Sequence, residues 1–264
     1  MQNILVPIGI SPHAQKTFEY AMALSERLEL NIFVVDAYPM QIKPNQISNI
    51  KARLEEENQS RIQQMIKKLK SSKKEVKVVK SNADLLGTIK KLDQRIGLDL
   101  IVVPPYSNDI DETIFLGSTA GSIIKKTDIP VWVAPIGKAF EPPKNMLLAF
   151  KSGEIKSTQI LAPLLKIQDT FKTLLNLLLV KVPGFSKQNH ALDDTILSRS
   201  EKLRYSENAT VYQGVLEYFQ SVNPDLLVVF KRERGFFEKL WESNVVYKKD
   251  FYCTIPLLVL KNKT

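Results

Sequence analysis

Short apolar runs rich in β-branched residues alternate along this chain with longer stretches whose apolar residues recur every three or four positions. This alternation predicts a strand over residues 4–8 (ILVPI). A helix opened by Ser11 and Pro12 follows, with Phe18, Ala21, Met22, Leu24, Ser25 and Leu28 on one face, and then a second strand over 32–35. Pro39 and Pro44 bound a break. A long charged helix over 47–69 comes next, with Ile50, Leu54, Ile62, Met65, Ile66 and Leu69 as a thin apolar stripe. Residues 76–79 read as a third strand, and Asp84 and Gly97 bound a third helix as cap and stop. Residues 100–103 (LIVV) and 131–133 (VWV) are all-apolar runs of the kind found in parallel strands covered on both faces. Between them the pattern predicts a loop and a fourth helix, turned by Gly117, capped by Ser118 and stopped before Pro130.

The pattern then repeats. An offset of 126 positions carries Asp99 onto Asp225, Val102 onto Val228, Val103 onto Val229, Ile129 onto Ile255, Pro130 onto Pro256 and Val133 onto Val259 without a gap. Earlier in the chain the offset is 142, carrying Asn3 onto Asn145, so the second copy is shorter, and the loss is expected after its second strand. The second copy restarts with MLLAF at Met146. A helix through Ile160, Leu164 and Leu165 follows, then a strand over 174–182, mainly loop with a short helix over 181–199, a weak strand over 203–205 and a helix over 211–222. Strands alternating with helices predict a parallel sheet with helices on both faces and right-handed crossovers. The expected architecture is α/β, in two tandem Rossmann-like domains: 1–138, a short stiff linker 139–144 (AFEPPK), and 145–264. So short a linker predicts that the two halves associate face to face, with their fifth strands, 131–133 and 257–260, at the contact.

Composition narrows the class. A chain of 264 residues, 44% apolar and 25% charged, is that of a globular protein, and no apolar run is long enough to span a bilayer. Met1 leads directly into a strand with no basic n-region, which predicts no signal peptide. The single cysteine, Cys253, excludes an internal disulfide, and together these predict a cytoplasmic protein without membrane contact. The net charge of +9 raises nucleic acid as a partner. The basic residues are spread, however, and the densest run, 67–80, reads as a solvated helix end and edge strand rather than a nucleic-acid patch. His13 and His190 have no Cys or carboxylate at metal-ligand spacing and read as surface residues, so no metal is expected. Cys253 reads as a small buried hydrophobe. There is no Gly-x-Ser-x-Gly, no Walker loop and no pair of carboxylates placed for acid–base work.

ILVPIGIS at the start, DLIVVPP before the long loop, LGSTAGSIIKKTDIPVWVAP after it, and the βαβ order resemble the universal stress protein family, in a tandem, two-domain form. The resemblance implies the adenine nucleotide alpha hydrolase-like fold, with five-stranded sheets in the order 3-2-1-4-5 that pair through their fifth strands. It also implies a place in stress response. Nucleotide-binding members of the family carry Gly-x2-Gly-x9-Gly-[Ser/Thr] after the fourth strand and an aspartate after the first. The glycines let backbone N–H groups curl around phosphates at a helix N-terminus. In this chain the last pair of that motif is Gly117-Ser118, while Pro104 and Ser107 stand where the first two glycines belong and Gly9 stands at the aspartate. Proline has no N–H to donate, and Asp109, Asp111 and Glu112 add negative charge to the loop. In the second half the same positions are Phe230, Glu233, Ser243, Asn244 and Lys151. A basic-aromatic segment, 231–241 (KRERGFFEKLW), replaces the phosphate loop and reads either as packing against the sheet or as a partner surface.

The expectation is therefore a non-catalytic binding or regulatory module, no enzyme, with degenerate nucleotide sites and no obligate cofactor. The alternative is an adenine-nucleotide-binding protein, with slow ATP hydrolysis, that uses the first domain only. Its ATP would be held by Gly117, Ser118, Ser107, Gly9 and backbone near Ala37. A basic nucleic-acid-associated protein is the third reading. Intramolecular pairing of the two domains is expected, and a homodimer and a small-molecule ligand of unknown identity are left open.

Overall fold

The computed structural model describes residues 1–9, 12–37, 48–69, 74–81, 84–105, 113–150, 158–181, 183, 194–209, 211–231, 245–248 and 251–261. The first half runs β1 (Asn3–Ile8), α1 (Ala14–Arg27), β2 (Asn31–Asp36), α2 (Ser48–Lys67), β3 (Val76–Val79), α3 (Leu85–Ile96), β4 (Leu100–Val103), β5 (Ile114–Leu116), α4 (Ser118–Lys126) and β6 (Val131–Val133). The second half runs β7 (Asn145–Phe150), α5 (Ala162–Phe171), β8 (Leu174–Lys181), α6 (Asp194–Arg199), β9 (Lys202–Glu207), α7 (Val211–Val222), β10 (Leu226–Phe230), β11 (Val246–Tyr247) and β12 (Leu257–Leu260), with a 3₁₀ turn at Thr158–Leu161 leading into α5.

Ten strands form one sheet in the order β3-β2-β1-β4-β6-β12-β10-β7-β8-β9. Within each half every pairing is parallel. Among the described residues of this sheet, the one antiparallel pair is the central one, β6 with β12, with Trp132 opposite Leu258, Val131 opposite Val259 and Val133 opposite Leu257. Trp132 and Leu258 are equivalent under the 126-residue repeat, so an approximate two-fold axis passes between them. The fifth strands 131–133 and 257–260 thus stand at the contact, as expected, but the halves meet edge to edge in a continuous sheet, and the face-to-face geometry expected from the short linker is corrected. An edge of three apolar residues satisfies its open N–H and C=O groups by strand pairing, which a face contact cannot supply.

The helices divide between the faces. Apolar residues of α1, α2, α5 and α6 pack with one set of strand side chains, and those of α3, α4 and α7 with the alternate set. The central strands β1, β4, β6, β10 and β12 are buried along their length, as their unbroken apolar runs require. Phe140 of the linker packs edge-on against Tyr20 of the first half at 5.3 Å and at a tilt against Phe171 of the second at 5.8 Å. Trp132 donates to the Tyr20 hydroxyl at 3.2 Å, in the same buried cluster.

The shortening of the second half falls between its second and third strands. There the 20-residue α2 of the first half is matched by the six-residue α6. Asp84 caps α3 through a bond from Leu86 N–H, and Gly97 ends it at φ 68°. Ser118 does not cap α4: it is the first helical residue, and Gly117 holds the cap position with extended backbone at φ −72°. The pattern also passes over β5 and β11, which pair antiparallel across the two halves as a separate ribbon.

Candidate functional site

In open parallel sheets, ligands sit beyond the C-terminal ends of the strands, where successive connections leave for opposite faces. In the first half that point lies between the neighbours β1 and β4, because α1 covers one face and α4 the other. Gly9 follows β1 and is half-buried, with nothing within 4 Å of where a Cβ would stand. Ala37 follows β2, and its N–H donates to the Ile8 carbonyl at 2.9 Å, extending the ladder by one bond. Pro104 is half-buried and Pro105 buried after β4. Gly117 is buried at the start of α4 with Ser118 exposed beside it, and the Gly117 N–H donates to the Pro105 carbonyl at 2.8 Å. That bond ties the end of the long loop to its beginning. It leaves the first-turn amides of α4, those of Ser118, Thr119 and Ala120, as the donors at this helix end.

The structure thus brings Gly9, Ala37, Pro104, Gly117 and Ser118 to one edge of the first-half sheet. Ser107 and the acidic residues Asp109, Asp111 and Glu112 lie outside the described residues, as do His190, Lys151, Glu233, Ser243, Asn244 and the segment 232–241. At the corresponding place in the second half, Phe230 is buried at the end of β10. Lys231, the one described residue of the basic-aromatic segment, turns back onto the first half: its Nζ donates to the carbonyls of Lys125 at 2.6 Å and Thr127 at 3.3 Å.

Lys261, directly after β12, joins it there. It is 2% exposed, and its amine donates to the carbonyls of Ile123 and Thr127, each at 3.1 Å, and to Thr127 Oγ1 at 3.0 Å. Two lysines from the second half therefore hold the C-terminal end of α4, where partial negative charge collects. Burial pushes the Lys261 amine well below its ordinary value, the Lys231 charge adds to the shift, and Asp128 opposes it. This clamp was not legible beforehand, because a lysine after LLVL reads as a solvated strand end.

His13 stands at the start of α1. Cys253 is buried, with its thiol pushed up to about 12 by desolvation, against a bond to the Ile255 carbonyl and the Lys138 charge. Among the described residues no three of His, Cys, Asp and Glu gather as a metal site, and no helix is long and apolar enough to cross a membrane.

The fold has solved counterparts. A universal stress protein from Archaeoglobus fulgidus superposes over 98% of this chain and 96% of its own at TM-score 0.71 and 14% identity. A putative universal stress protein from Pseudomonas aeruginosa does so over 99% and 93%, at 0.62 and 14%. A functionally unknown protein of the same species does so over 99% and 92%, at 0.60 and 13%. At these identities the likeness is one of fold. No curated protein matches the sequence. The model of the universal stress protein family matches residues 1–135, the half that holds Gly9, Ala37, Gly117 and Ser118. With half of its length matched in sequence and the whole of it in fold, this chain belongs to the universal stress protein family.

Proposed function

We propose that this chain is a non-catalytic binding or regulatory module of the cytoplasmic stress response whose nucleotide positions have lost the groups that hold a triphosphate. The observation that carries this reading is the hydrogen bond from Gly117 N–H to the Pro105 carbonyl. A phosphate loop works by aiming N–H groups inward, and each charge-assisted bond is worth about 1.5–3 kcal/mol. Here one such group is engaged by the loop itself, and Pro104 and Pro105 have none to offer. The deficit is roughly 3 kcal/mol or more, a hundredfold or greater loss of affinity. Gly9 supplies no carboxylate beyond β1, and in the second half the Lys231 amine is turned toward α4.

The competing reading keeps an adenine nucleotide in the first half, at Gly117, Ser118 and the backbone near Ala37. Its support is the placement of the α4 start at the β1–β4 switch point. Calorimetry with Mg-ATP on the intact chain separates the two. The expected result is no saturable binding below about 100 μM, with a gain of at least about tenfold in the Pro104→Gly, Ser107→Gly double variant. Low-micromolar binding by the wild type, lost in Gly117→Asp, would establish the competing reading instead.

A further inference from the structure

Beside the central β6–β12 pair, between the two halves, lies a cavity of about 220 Å³. Pro105, Phe115 and Pro135 line it from the first half, and Tyr252, Cys253 and Ile255 from the second. The approximate two-fold axis explains why there is room. The 126-residue repeat carries Pro105 to Lys231 and Pro135 to Lys261, and it relates Tyr252 and Cys253 to Lys126 and Thr127. At that related place the Lys231 and Lys261 side chains reach across between the halves and donate to the carbonyls at the end of α4. Two prolines stand here where two lysines stand there, so the counterpart stays open. Interiors otherwise pack to crystal-like density with few voids larger than a water molecule.

Size restricts the guest. A dry cavity of about 150 Å³ takes benzene, and sites for drug-sized ligands begin near 300 Å³. A volume of about 220 Å³ therefore suits one ring with a small substituent. The walls restrict its chemistry. Phe115 and Tyr252 meet edge to face at 5.9 Å, and Val133 and Ile255 add aliphatic surface. Among the described residues, the charged ones that line the cavity are Lys138 and Lys248, with no carboxylate beside them, and neither lysine is in an ion pair. Lys248 Nζ lies 5.5 Å above the Tyr252 ring, and the Lys138 charge reaches the neighbouring Cys253 thiol.

We propose that this cavity is a binding site for a small amphipathic carboxylate, with its apolar body against Phe115 and Tyr252 and its anionic group toward Lys138 and Lys248. Gly117 and Ser118 are not among its lining residues, though Pro105, which is, accepts from the Gly117 N–H, and the proposal stands whether or not the Gly117 position takes a nucleotide.

The probe is 4-methylbenzoate, titrated into the full chain by calorimetry and by amide NMR shifts, with uncharged 4-methylbenzamide as its near-isosteric control. The expected result is saturable binding of the carboxylate with a dissociation constant below about 1 mM, shifts at Phe115 and residues 252–255, and a weaker amide by at least about threefold. Affinity should fall as salt is raised and fall again in the Lys138→Met, Lys248→Met double variant. Pro135→Lys, which places here the lysine of the other half, should abolish binding. Absence of binding, equal affinity for the amide, or undiminished affinity in the double lysine variant or in folded Pro135→Lys would each overturn the proposal.

Discussion

Asp99 and Asp225 occupy the same position in the repeat and do the same work. Asp99 Oδ2 accepts from the N–H groups of Gln2 and Asn3 at 2.6 and 3.0 Å, where β1 begins. Asp225 Oδ2 accepts from those of Lys144 and Asn145 at 2.8 and 2.9 Å, where β7 begins. One carboxylate thus satisfies two backbone donors at the entry of the strand next to its own, and aspartate before an LIVV or LLVV run is explained by that geometry. Asp99→Ala and Asp225→Ala should each cost about 1–3 kcal/mol, which is a few degrees in Tm for a chain of this size. The two losses should add, because the sites share no partner. Thermal unfolding of both single variants and the double checks this. A double variant no worse than either single would show that these bonds do not hold the strand starts.

At the scale of the element, α4 is held at both ends by the tertiary structure. Its start is tied by the Gly117–Pro105 bond, and its end receives Lys231 and Lys261 from the other half. Lys261 makes a specific pH prediction. Its folded-state amine lies well below 10.5, through burial first and the nearby Lys231 charge second. Between the folded value and 10.5 the unfolded chain binds the extra proton, so this group's contribution to stability is greatest above pH 10.5 and is lost as pH falls toward the folded value. Lys261→Met should remove that slope. No acceptor is orphaned, since the Ile123 carbonyl still receives Thr127 N–H and Oγ1–H, and the Thr127 carbonyl still receives Lys231. The variant should therefore gain on the wild type at pH 6 relative to pH 10 in denaturant unfolding. A parallel pH dependence in the two proteins would refute this reading of Lys261.

For the whole molecule, the decisive contact is the β6–β12 pair. Three of its residues, Val131, Trp132 and Val133, form a fully buried strand in the middle of the sheet. Removing the second half would leave this apolar strand as an open edge with unpaired backbone groups. A fragment ending at residue 138 is therefore expected to recover the antiparallel pair by using a second copy of itself, and to sediment as a dimer at micromolar concentration. A stable monomer would show that β6 needs no partner. The β5–β11 ribbon and the Phe140 contacts with Tyr20 and Phe171 add further ties between the halves, so the joint does not rest on the sheet alone.

Chain-local features were legible in the amino-acid sequence because their causes lie within a few residues. Asp84 and Gly97 bound α3 through bonds and dihedrals set by their near neighbours, and the apolar runs of β4 and β6 announce strands covered on both faces. The repeat followed from those runs, and the placement of Gly9, Ala37 and Gly117 at strand and helix ends followed from the repeat of strand and helix. The use made of each group was settled elsewhere. Whether the Gly117 N–H faces a ligand or a carbonyl depends on how the loop returns to Pro105, which no local spacing encodes. Lys261 meets the Ile123 carbonyl 138 residues away, and nothing around it marks it as buried rather than solvated. That the fifth strands stand at the contact was expected from the repeat and the linker, but their edge-to-edge joint, and the open cavity where prolines replace the lysines of the other half, exist only where the two halves of the sheet meet. Their energetics come from strand pairing and desolvation between residues more than a hundred positions apart, and those terms have no counterpart in the pattern along the chain.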